Sequence, residues 1–479
     1  MEFTGATPAH DLTYSDVFLV PSRSSVTSRL DVSLATDDGS GANIPLISAN
    51  MNSVTGPRLA ATLARRGGLS VLPQDLHLEE LESAIRWVKA QPVAFDTPHV
   101  FSPEATAADA LLVLPPTAGH GIVLESADGG FAGAIPAERL ATALPDARLG
   151  DLVHGDPASF DLAEAESPRQ AFDLMTEAGL EFAAVLADGR AVGTVSRRGA
   201  LRGTIYPPNV DRDGRLRVAA ALGINGDLEA KATALIAAGV DLLVVDTAHG
   251  HQEGMIRAIR TLRALGVDVP IAAGNIVTTD GVDDLVDAGA DILKVGVGPG
   301  AMCTTRMMTA VGRPQFSAVL ETAEAARARG AHVWADGGVR YPRDVALALA
   351  AGASAVMIGS WFAGTIEAPG TLRFDETGRA FKESWGMAST KAVRERFDRL
   401  SPYELARREL FAEGISSSAI YLDPLRPSVE DLVDMITSGV RSSFTYAGAR
   451  TLAEFRDRAR VGIQSAAGYE EGKALPVSW

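Results

Sequence analysis

The chain has 479 residues, of which 46% are hydrophobic and 22% charged, the composition of an ordinary globular protein. Its formal charge of −16 is opposite in sign to that of a nucleic-acid-binding surface. Its single cysteine excludes an intramolecular disulfide and a Cys₄ metal site. Its apolar runs are too short for a membrane span. We therefore expect neither nucleic acid nor membrane as a partner, and, because residues 1–10 lack a signal-peptide pattern, a cytoplasmic location.

Eight short apolar runs, each followed by a polar or glycine loop and an alanine-rich helical stretch, recur along the chain. Apolar strands alternating with helices are typical of a parallel sheet covered on both faces, and eight such units favour a (β/α)₈ TIM barrel over an open sheet. A helix is predicted at 279–288, where a polar start and first-turn acidic residues precede Gly289. The predicted strands are 44–48, 69–72, 216–220, 241–246, 270–273, 292–295, 333–336 and 355–358.

The strand and helix pattern is interrupted between the second and third predicted strands. Two similar halves follow each other there, each with a helix and two strands, which indicates a paired module inserted into a barrel loop. The segment after residue 366 contains no strand of the barrel type and is expected to form an active-site flap and a tail. The predicted domains are 1–91 (first part of the barrel), 92–203 (inserted module) and 204–479 (remaining barrel, flap and tail).

Polar and glycine residues cluster where the predicted strands end, which is the face of a TIM barrel that carries the active site. Any one of these segments could be only a turn or a helix cap, but together they predict a site. They are 48–52, 246–250, 274–275, 296–300, 336–338 and 359–360.

Cys303 follows one of these loops and is the strongest candidate for chemistry. A lone cysteine is most often a small buried apolar residue. Here the glycine loop before it, Thr305 and Arg306 could stabilise a thiolate. The glycines that end strands seven and eight offer backbone N–H groups to a phosphate. The sequence therefore predicts covalent catalysis by Cys303 on a phosphorylated substrate.

These segments resemble the IMP dehydrogenase/GMP reductase family along nearly the whole chain. The matching motifs are LTYSDVFLVP at 12–21, VVDTAHGH at 244–251, KVGVGPGAMCTTR at 294–306, ADGGVRY at 335–341 and VMIGS at 356–360. The insert resembles the tandem cystathionine-β-synthase (CBS) pair, or Bateman module, that many members carry. The resemblance implies a TIM barrel with an inserted regulatory module.

The resemblance also implies a role for individual residues. Cys303 would attack purine C2, and Thr305 with Glu413 would handle the proton of the C2 amino group. Substrate would be held by Ser48, Asn50, Asp336, Gly337, Gly338, Gly359, Ser360, Gly386 and Met387. The nicotinamide nucleotide would lie against Asp246, Thr247, Ala248, Asn275, Gly296, Val297 and Gly298. Potassium would bind carbonyls of Gly298, Gly300 and Cys303, unless Lys473 of a neighbouring subunit takes its place.

Two reactions share the covalent intermediate in this family, and the flap separates them. Dehydrogenases oxidise IMP to XMP with NAD and use a flap Arg-Tyr pair to activate water. Reductases convert GMP to IMP and ammonia with NADPH. In this flap Tyr403 follows Pro402 and no Arg-Tyr dipeptide occurs. The sequence favours GMP reduction with NADPH, and IMP oxidation is the alternative, supported by an insert that most reductases lack.

Two departures from the family pattern, Asn52 and Ala301, keep open a third possibility: a nucleotide-sensing protein without catalysis. The resemblance further implies ATP- or GTP-type effectors at the CBS pair. It also implies a homo-oligomer, either a tetramer or an octamer.

Overall fold

The computed structural model describes residues 1–473 except 6–8, 154–157, 166, 388, 398–399 and 411–416. Its first elements alternate between strand and helix. Pro57 starts the first helix, where its missing N–H and fixed φ cost nothing, and seven of the nine residues of that helix are buried. These elements are β1 (Glu2–Phe3), β2 (Val17–Val20), β3 (Leu46–Ser48), α1 (Pro57–Arg65), β4 (Leu69–Leu72) and α2 (Leu78–Lys89).

The insert forms two small sheets that repeat one pattern. Its elements are β5 (Val100–Phe101), α3 (Ala107–Leu111), β6 (Gly121–Glu125), β7 (Phe131–Pro136), α4 (Ala137–Leu140), β8 (Ser159–Asp161), α5 (Pro168–Glu177), β9 (Phe182–Ala187), β10 (Arg190–Ser196) and α6 (Arg197–Gly203). In each sheet the first strand runs parallel to the second and the second antiparallel to the third. The two sheets pack through Val123, Ala134, Phe182 and Ala184. The internal similarity of the sequence thus corresponds to a repeated fold.

The chain enters and leaves the insert at two adjacent points. Asp96 and Thr194 form an antiparallel bridge in which each backbone N–H donates to the other's carbonyl at 2.8 Å. The two connections to the barrel therefore lie side by side.

Eight parallel strands close into a barrel, which confirms the predicted TIM barrel. After the insert come β11 (Ala219–Leu222), α7 (Leu228–Ala238), β12 (Leu242–Asp246), α8 (Glu253–Ala264), β13 (Ile271–Ile276), α9 (Thr279–Ala288), β14 (Ile292–Val295), α10 (Thr305–Thr309), α11 (Gln315–Ala328), β15 (His332–Asp336), α12 (Pro342–Ala350) and β16 (Ala355–Ile358). The order around the barrel is β11-β12-β13-β14-β15-β16-β3-β4. The predicted helix 279–288 is confirmed, with Gly289 ending it in the left-handed conformation.

Some predicted strand bounds were wrong, because hydrogen bonds formed elsewhere in the fold decide where the ladder between two barrel strands begins and ends. The prediction 216–220 starts too early, since Leu216 bridges Val210 and the amide of Val218 donates to the side chain of Asp241. The prediction 44–48 also starts early, because the amide of Ile44 donates to the carbonyl of Gly67. The prediction 270–273 ends too early, since the ladder between β13 and β14 continues to Ile276 after an irregularity.

Side chains inside the barrel form layers, because residues two apart on a strand share a face. Val244, Ile292 and Trp334 belong to the apolar inner layers. Two residues further along the same strands stand Asp246, Lys294 and Asp336. The mouth of the barrel therefore carries a charged layer directly above an apolar plug.

The remainder of the chain builds a flap and an outer covering without adding a barrel strand, as predicted. Its elements are α13 (Ser360–Ala363), β17 (Arg373–Phe374), β18 (Ala380–Trp385), α14 (Thr390–Arg396), α15 (Pro402–Leu410), β19 (Ser417–Tyr421), α16 (Val429–Ala447), α17 (Leu452–Arg458), β20 (Arg460–Ile463) and α18 (Ala466–Glu471). The strands β17, β18 and β19 form an antiparallel flap sheet, and β20 pairs with β1 and β2. The long helix α16 lies against α12 and α1.

None of the described helices combines the length and the hydropathy that crossing a bilayer demands.

Candidate active site

A cavity of about 1040 Å³ opens at the carboxyl ends of the barrel strands. This volume is at the upper end of the range of about 300–1,000 Å³ that small-molecule sites occupy. Most of the predicted site residues line it: Asn50, Asp246, Thr247, Ala248, Asn275, Gly296, Val297, Gly298, Gly300, Cys303, Thr305, Asp336, Gly337, Gly338, Gly359, Ser360, Gly386 and Met387. The fold thus brings together segments that lie more than 300 residues apart in the chain.

A buried lysine ties the charged layer of the barrel mouth together. The Nζ of Lys294 lies 3.1 Å from a carboxylate oxygen of Asp246 and also binds Asp336, and its side chain is only 5% exposed. Burial would lower the pKa of Lys294, but Asp246 and Asp336 outweigh it and raise that pKa. The lysine therefore stays charged and fixes two carboxylates whose mutual repulsion would otherwise separate them.

Two amide side chains extend this network to the cavity surface. Asn50 donates through Nδ2 to Asp246 at 2.8 Å, and Asn275 donates through Nδ2 to Asp336 at 2.9 Å and to the carbonyl of Gly296 at 2.5 Å. The Oδ1 atom of Asn275 is buried without a hydrogen-bond partner among the described residues. A buried acceptor of this kind is available to a donor from a water molecule or a ligand, and the amide N–H₂ group of a carboxamide is one such donor.

The loop after β15 suits a phosphate group. Gly337 and Gly338 both adopt left-handed φ values, +85° and +84°, which a residue with a Cβ adopts only with strain. Gly359, after β16, stands at the start of α13 and lines the same part of the cavity. Successive exposed N–H groups at glycine turns form an anion-binding concavity without any basic side chain.

Cys303 lies on the loop between β14 and α10 and is exposed to the cavity. Its Sγ lies 3.3 Å from the Oγ1 of Thr305, and its amide donates to the carbonyl of Gly300 at 3.0 Å. The tight turn places the sulfur and the hydroxyl side by side. A nucleophile paired with a hydroxyl at a nucleotide-sized cavity can form a covalent adduct while a proton moves at the same carbon.

The flap closes one side of the cavity through an ion pair with the barrel. Arg396, at the end of α14, binds Asp75 through Nε at 2.7 Å and through a terminal nitrogen at 3.1 Å. The Asp75 side chain, which follows β4, is only 1% exposed. A bidentate pair with a buried carboxylate holds the flap against the barrel mouth.

Four residues that the sequence singled out are not among the described residues that line the cavity. Ser48 does not line the cavity, because its buried hydroxyl hydrogen-bonds to Thr55 at 2.7 Å. Arg306 makes no hydrogen bond to the sulfur in the described structure; its methylenes lie against Gly298 and Gly312. Lys473 pairs with Glu470 of its own chain at 2.5 Å. Glu413 lies outside the described residues.

The sequence reasoning missed several residues of the cavity, although signals for them existed. Lys294 interrupts an otherwise apolar predicted strand, and a buried lysine requires charged partners. Polar residues also follow strands two and three, where the barrel rule places active-site groups as well. The missed lining residues include Gln74, Asp75, Asn225, Asp227, Lys231, Lys294, Arg396, Phe397 and Arg408.

Among the described residues, no group of three or more histidine, cysteine, aspartate or glutamate side chains is placed to hold a metal ion.

Comparison with known proteins gives consistent results along the full chain. The IMP dehydrogenase / GMP reductase domain model matches residues 11–474. The chain is 52% identical over 476 residues to the GMP reductase of Mycobacterium tuberculosis, covering 99% of both chains. It is 34% identical over 473 residues to an inosine-5'-monophosphate dehydrogenase of Staphylococcus aureus, covering 96% of this chain and 94% of that one.

A solved structure shows the same likeness. It is a cysteine-to-alanine variant of the GMP reductase from Trypanosoma brucei in complex with guanosine 5'-monophosphate. The TM-score is 0.69 at 31% sequence identity, and the match covers 99% of both chains.

Proposed function

Because the chain belongs to the IMP dehydrogenase / GMP reductase family, we propose that it is a GMP reductase, which converts GMP to IMP and ammonia with NADPH through an adduct on Cys303. The observation that carries the choice within the family is the difference in identity. The chain is 52% identical to curated GMP reductases but 34% identical to dehydrogenases, and both matches span at least 94% of each chain.

The placement of Cys303 beside Thr305 supports the chemistry that the family resemblance implies. The thiolate adds to C2 of the purine, and the C2 amino group takes up a proton and leaves as ammonia. The carbon then carries a C2–S bond, which breaks when hydride arrives, so that the thiolate returns. Thr305 accepts and passes the proton at the amino nitrogen, and Glu413 is its proposed partner. In sum, GMP, NADPH and two protons give IMP, NADP⁺ and ammonium.

The residues around the cavity fit the nicotinamide nucleotide. When bound, NADPH supplies the hydride. The unpartnered Oδ1 of Asn275 would accept the carboxamide, with Asp246, Thr247, Ala248 and the 296–298 loop around the ring. Asp336, Gly337, Gly338, Gly359 and Ser360 would hold the substrate phosphate and ribose from the opposite side. Buried Lys294 binds both Asp246 and Asp336 and so fixes the position of the proposed cofactor side relative to the proposed substrate side.

No tyrosine among the described flap residues lines the cavity, so this part of the flap lacks the arginine–tyrosine pair that hydrolysis in the family's dehydrogenases uses. Tyr403 is exposed and does not line the cavity. Arg396 is held by Asp75, and Arg394 by Glu409 at 2.5 Å. An arginine held in an ion pair is poorly placed to activate water, and a positioned base is worth about 10²–10⁴-fold.

Two further parts of the proposal concern ions and effectors. Carbonyls of Gly298, Gly300 and Cys303 would bind potassium, since carbonyl oxygens are the donors that this ion uses, with Lys473 of a neighbouring copy as the alternative cation. Strong dependence of the activity on potassium would contradict the lysine alternative. We also propose that the insert is a CBS pair that binds adenine or guanine nucleotides, and that the protein is a tetramer or an octamer.

One assay separates the candidate functions. The protein is supplied with GMP and NADPH, and separately with IMP and NAD, while the reduced nicotinamide and ammonia are followed. Loss of NADPH with release of ammonia and IMP is the expected result. Formation of NADH and XMP would establish the dehydrogenase instead. Nucleotide binding without turnover in either mixture would point to a sensor.

The first variant to test is Cys303→Ala. We expect turnover to fall by about 10⁴-fold or more, since no other nucleophile can form the adduct. GMP binding should persist, because the phosphate loops are untouched; this is measured by calorimetry. Turnover at a tenth of the wild-type rate or above would contradict the covalent mechanism.

A further inference from the structure

One end of the cavity is not used by the roles proposed so far. It is formed by the loop 223–228 after β11, by Gln74 and Asp75 after β4, and by the flap residues Arg396, Phe397 and Arg408. The strand order places β11, with β4 beside it, across the barrel mouth from β15, whose glycines form the proposed phosphate pocket. A second group of a large ligand can therefore bind at this end without competing for that pocket.

The charged groups at this end are three cations and two carboxylates. Asp75 is engaged by Arg396, and Asp227 accepts a hydrogen bond from the amide of Ala230 as the cap of α7. Lys231 donates to the carbonyl of Gln74 at 2.8 Å. The end of the cavity is thus net positive within a chain of charge −16.

Arg396 is paired with Asp75 and Lys231 is bound to a carbonyl, whereas Arg408 has neither a carboxylate nor a carbonyl partner among the described residues. Its guanidinium carbon lies 4.1 Å from the ring centroid of Phe397, which orients the group by a cation–π contact. The adjacent Arg407 lies outside the cavity lining and has Glu404 at 3.8 Å. Of these two arginines, only Arg408 lines the cavity, with its guanidinium group oriented by Phe397.

On the basis of the proposed function, we propose that Arg408 binds the 2′-phosphate of the adenosine ribose and so selects NADPH over NADH. In dinucleotide sites a free acidic residue accepts from the ribose 2′-hydroxyl and favours NAD, whereas an arginine accommodates the 2′-phosphate. Here the nearby acid, Asp75, is paired with Arg396, and Arg408 has no acidic partner among the described residues. Guanidinium also matches phosphate geometry in two parallel hydrogen bonds.

The test measures binding rather than turnover, with NADPH and NADH titrated separately into wild type, Arg408→Gln and Arg407→Gln. Nicotinamide fluorescence reports binding, and adenosine 2′,5′-bisphosphate with 5′-AMP serves as a second pair of probes. We expect Arg408→Gln to weaken NADPH and the bisphosphate by about 10–100-fold, the range for a hydrogen bond to a charged group. NADH and 5′-AMP should change by less than about twofold.

Arg407→Gln is the matched control, since it removes the same charge from the same helix outside the cavity. An unchanged ratio of NADPH to NADH affinity in Arg408→Gln would overturn the inference, and so would an equal change in both arginine variants. A wild type that prefers NADH would overturn it too. Each result is obtained without turnover, so a chain that fails to reduce GMP still gives an answer on Arg408.

Discussion

At the scale of single residues, Lys294 determines the electrostatics of the site. It stands on β14 one layer above the apolar plug of the barrel, and it is held between Asp246 on β12 and Asp336 on β15. Burying an ion pair gives little net stability, but removing one partner leaves an uncompensated charge. The lysine therefore holds in place two carboxylates that line the cavity, and its removal would leave them without their counter-ion.

We expect Lys294→Met to lower the free energy of unfolding by about 3–5 kcal/mol, because two partly buried carboxylates lose their counter-ion. Both GMP and NADPH should bind more weakly, since Asp336 and Asp246 lie on opposite sides of the proposed hydride transfer. Urea unfolding and two separate titrations measure these effects. Lys391→Met is the control, because Lys391 on the flap is 42% exposed and its pair with Glu383 is at the surface. Equal stability of the two variants would argue against this role for Lys294.

At the scale of elements, the start of α16 is held by a buried carboxylate. Glu367 accepts a hydrogen bond from the Ser428 hydroxyl at 2.5 Å and one from the amide of Val429 at 2.9 Å. Burial raises the pKa of Glu367 to about 7 from its ordinary 4.5. Because the folded state holds this proton more tightly than the unfolded chain does, the stability it contributes is present below pH 4.5 and is lost as the pH rises towards 7.

Glu367→Gln should remove this pH dependence. Relative to the variant, wild type should lose roughly 2–3 kcal/mol of unfolding free energy between pH 4.5 and pH 7, at 1.36 kcal/mol for each unit of pKa shift. Urea unfolding of both proteins at several pH values tests this. The window stops at pH 7 because Lys382, which burial gives a pKa of about 8, titrates above it. Parallel stability curves for the two proteins would show that Glu367 titrates normally.

At the scale of the whole molecule, a buried ion network joins the insert to the barrel. Arg202, the penultimate residue of α6, binds Glu430 at 3.1 Å and Asp431 at 2.6 Å, both at the start of α16. Arg66 binds Glu430 from the barrel side at 2.5 Å. Burial would raise the pKa of Glu430, but Arg66 and Arg202 outweigh it and bring that pKa to about 2. Glu430 therefore stays ionised at neutral pH, and buried ion pairs to Arg66 and Arg202 fix the insert to the barrel.

Arg202→Met should uncouple the insert from the barrel. We expect a loss of about 3–5 kcal/mol at the junction, because Glu430 and Asp431 remain buried with less compensation. Calorimetry should then show two unfolding transitions where wild type shows one. Arg198→Met is the matched control: Arg198 also binds Asp431 from α6, at 3.2 Å, but it is 61% exposed. A single transition in both variants would contradict a coupling role for Arg202.

The sequence predicted the barrel well because the alternation of apolar strands with helices, and the residues that cap the helices, are local features of the sequence. The helix 279–288 was found to the residue, since Thr278 and Gly289 cap it. Strand ends were predicted less accurately wherever a distant side chain takes a backbone hydrogen bond from the neighbouring strand. The amide of Val218, for example, donates to the carboxylate of Asp241. No local pattern reveals such partners.

The site was predicted in outline for the same reason. Loops with unusual glycines are visible in sequence, whereas Lys294, Arg396 and Arg408 have meaning only through partners brought from other strands or from the flap. The buried hydroxyl of Ser48 shows the opposite error: a residue at the correct strand end whose side chain turns to Thr55.

The paired backbone of Asp96 and Thr194 bears on where the insert could be removed from the chain. A deletion of residues 98–192 would leave Thr97 and Gly193 between two residues that already form the hydrogen-bonded pair closing a two-residue hairpin. The shortened chain would keep this pair, but it would lose the insert side chains that pack with Ile366, Leu372 and Leu422.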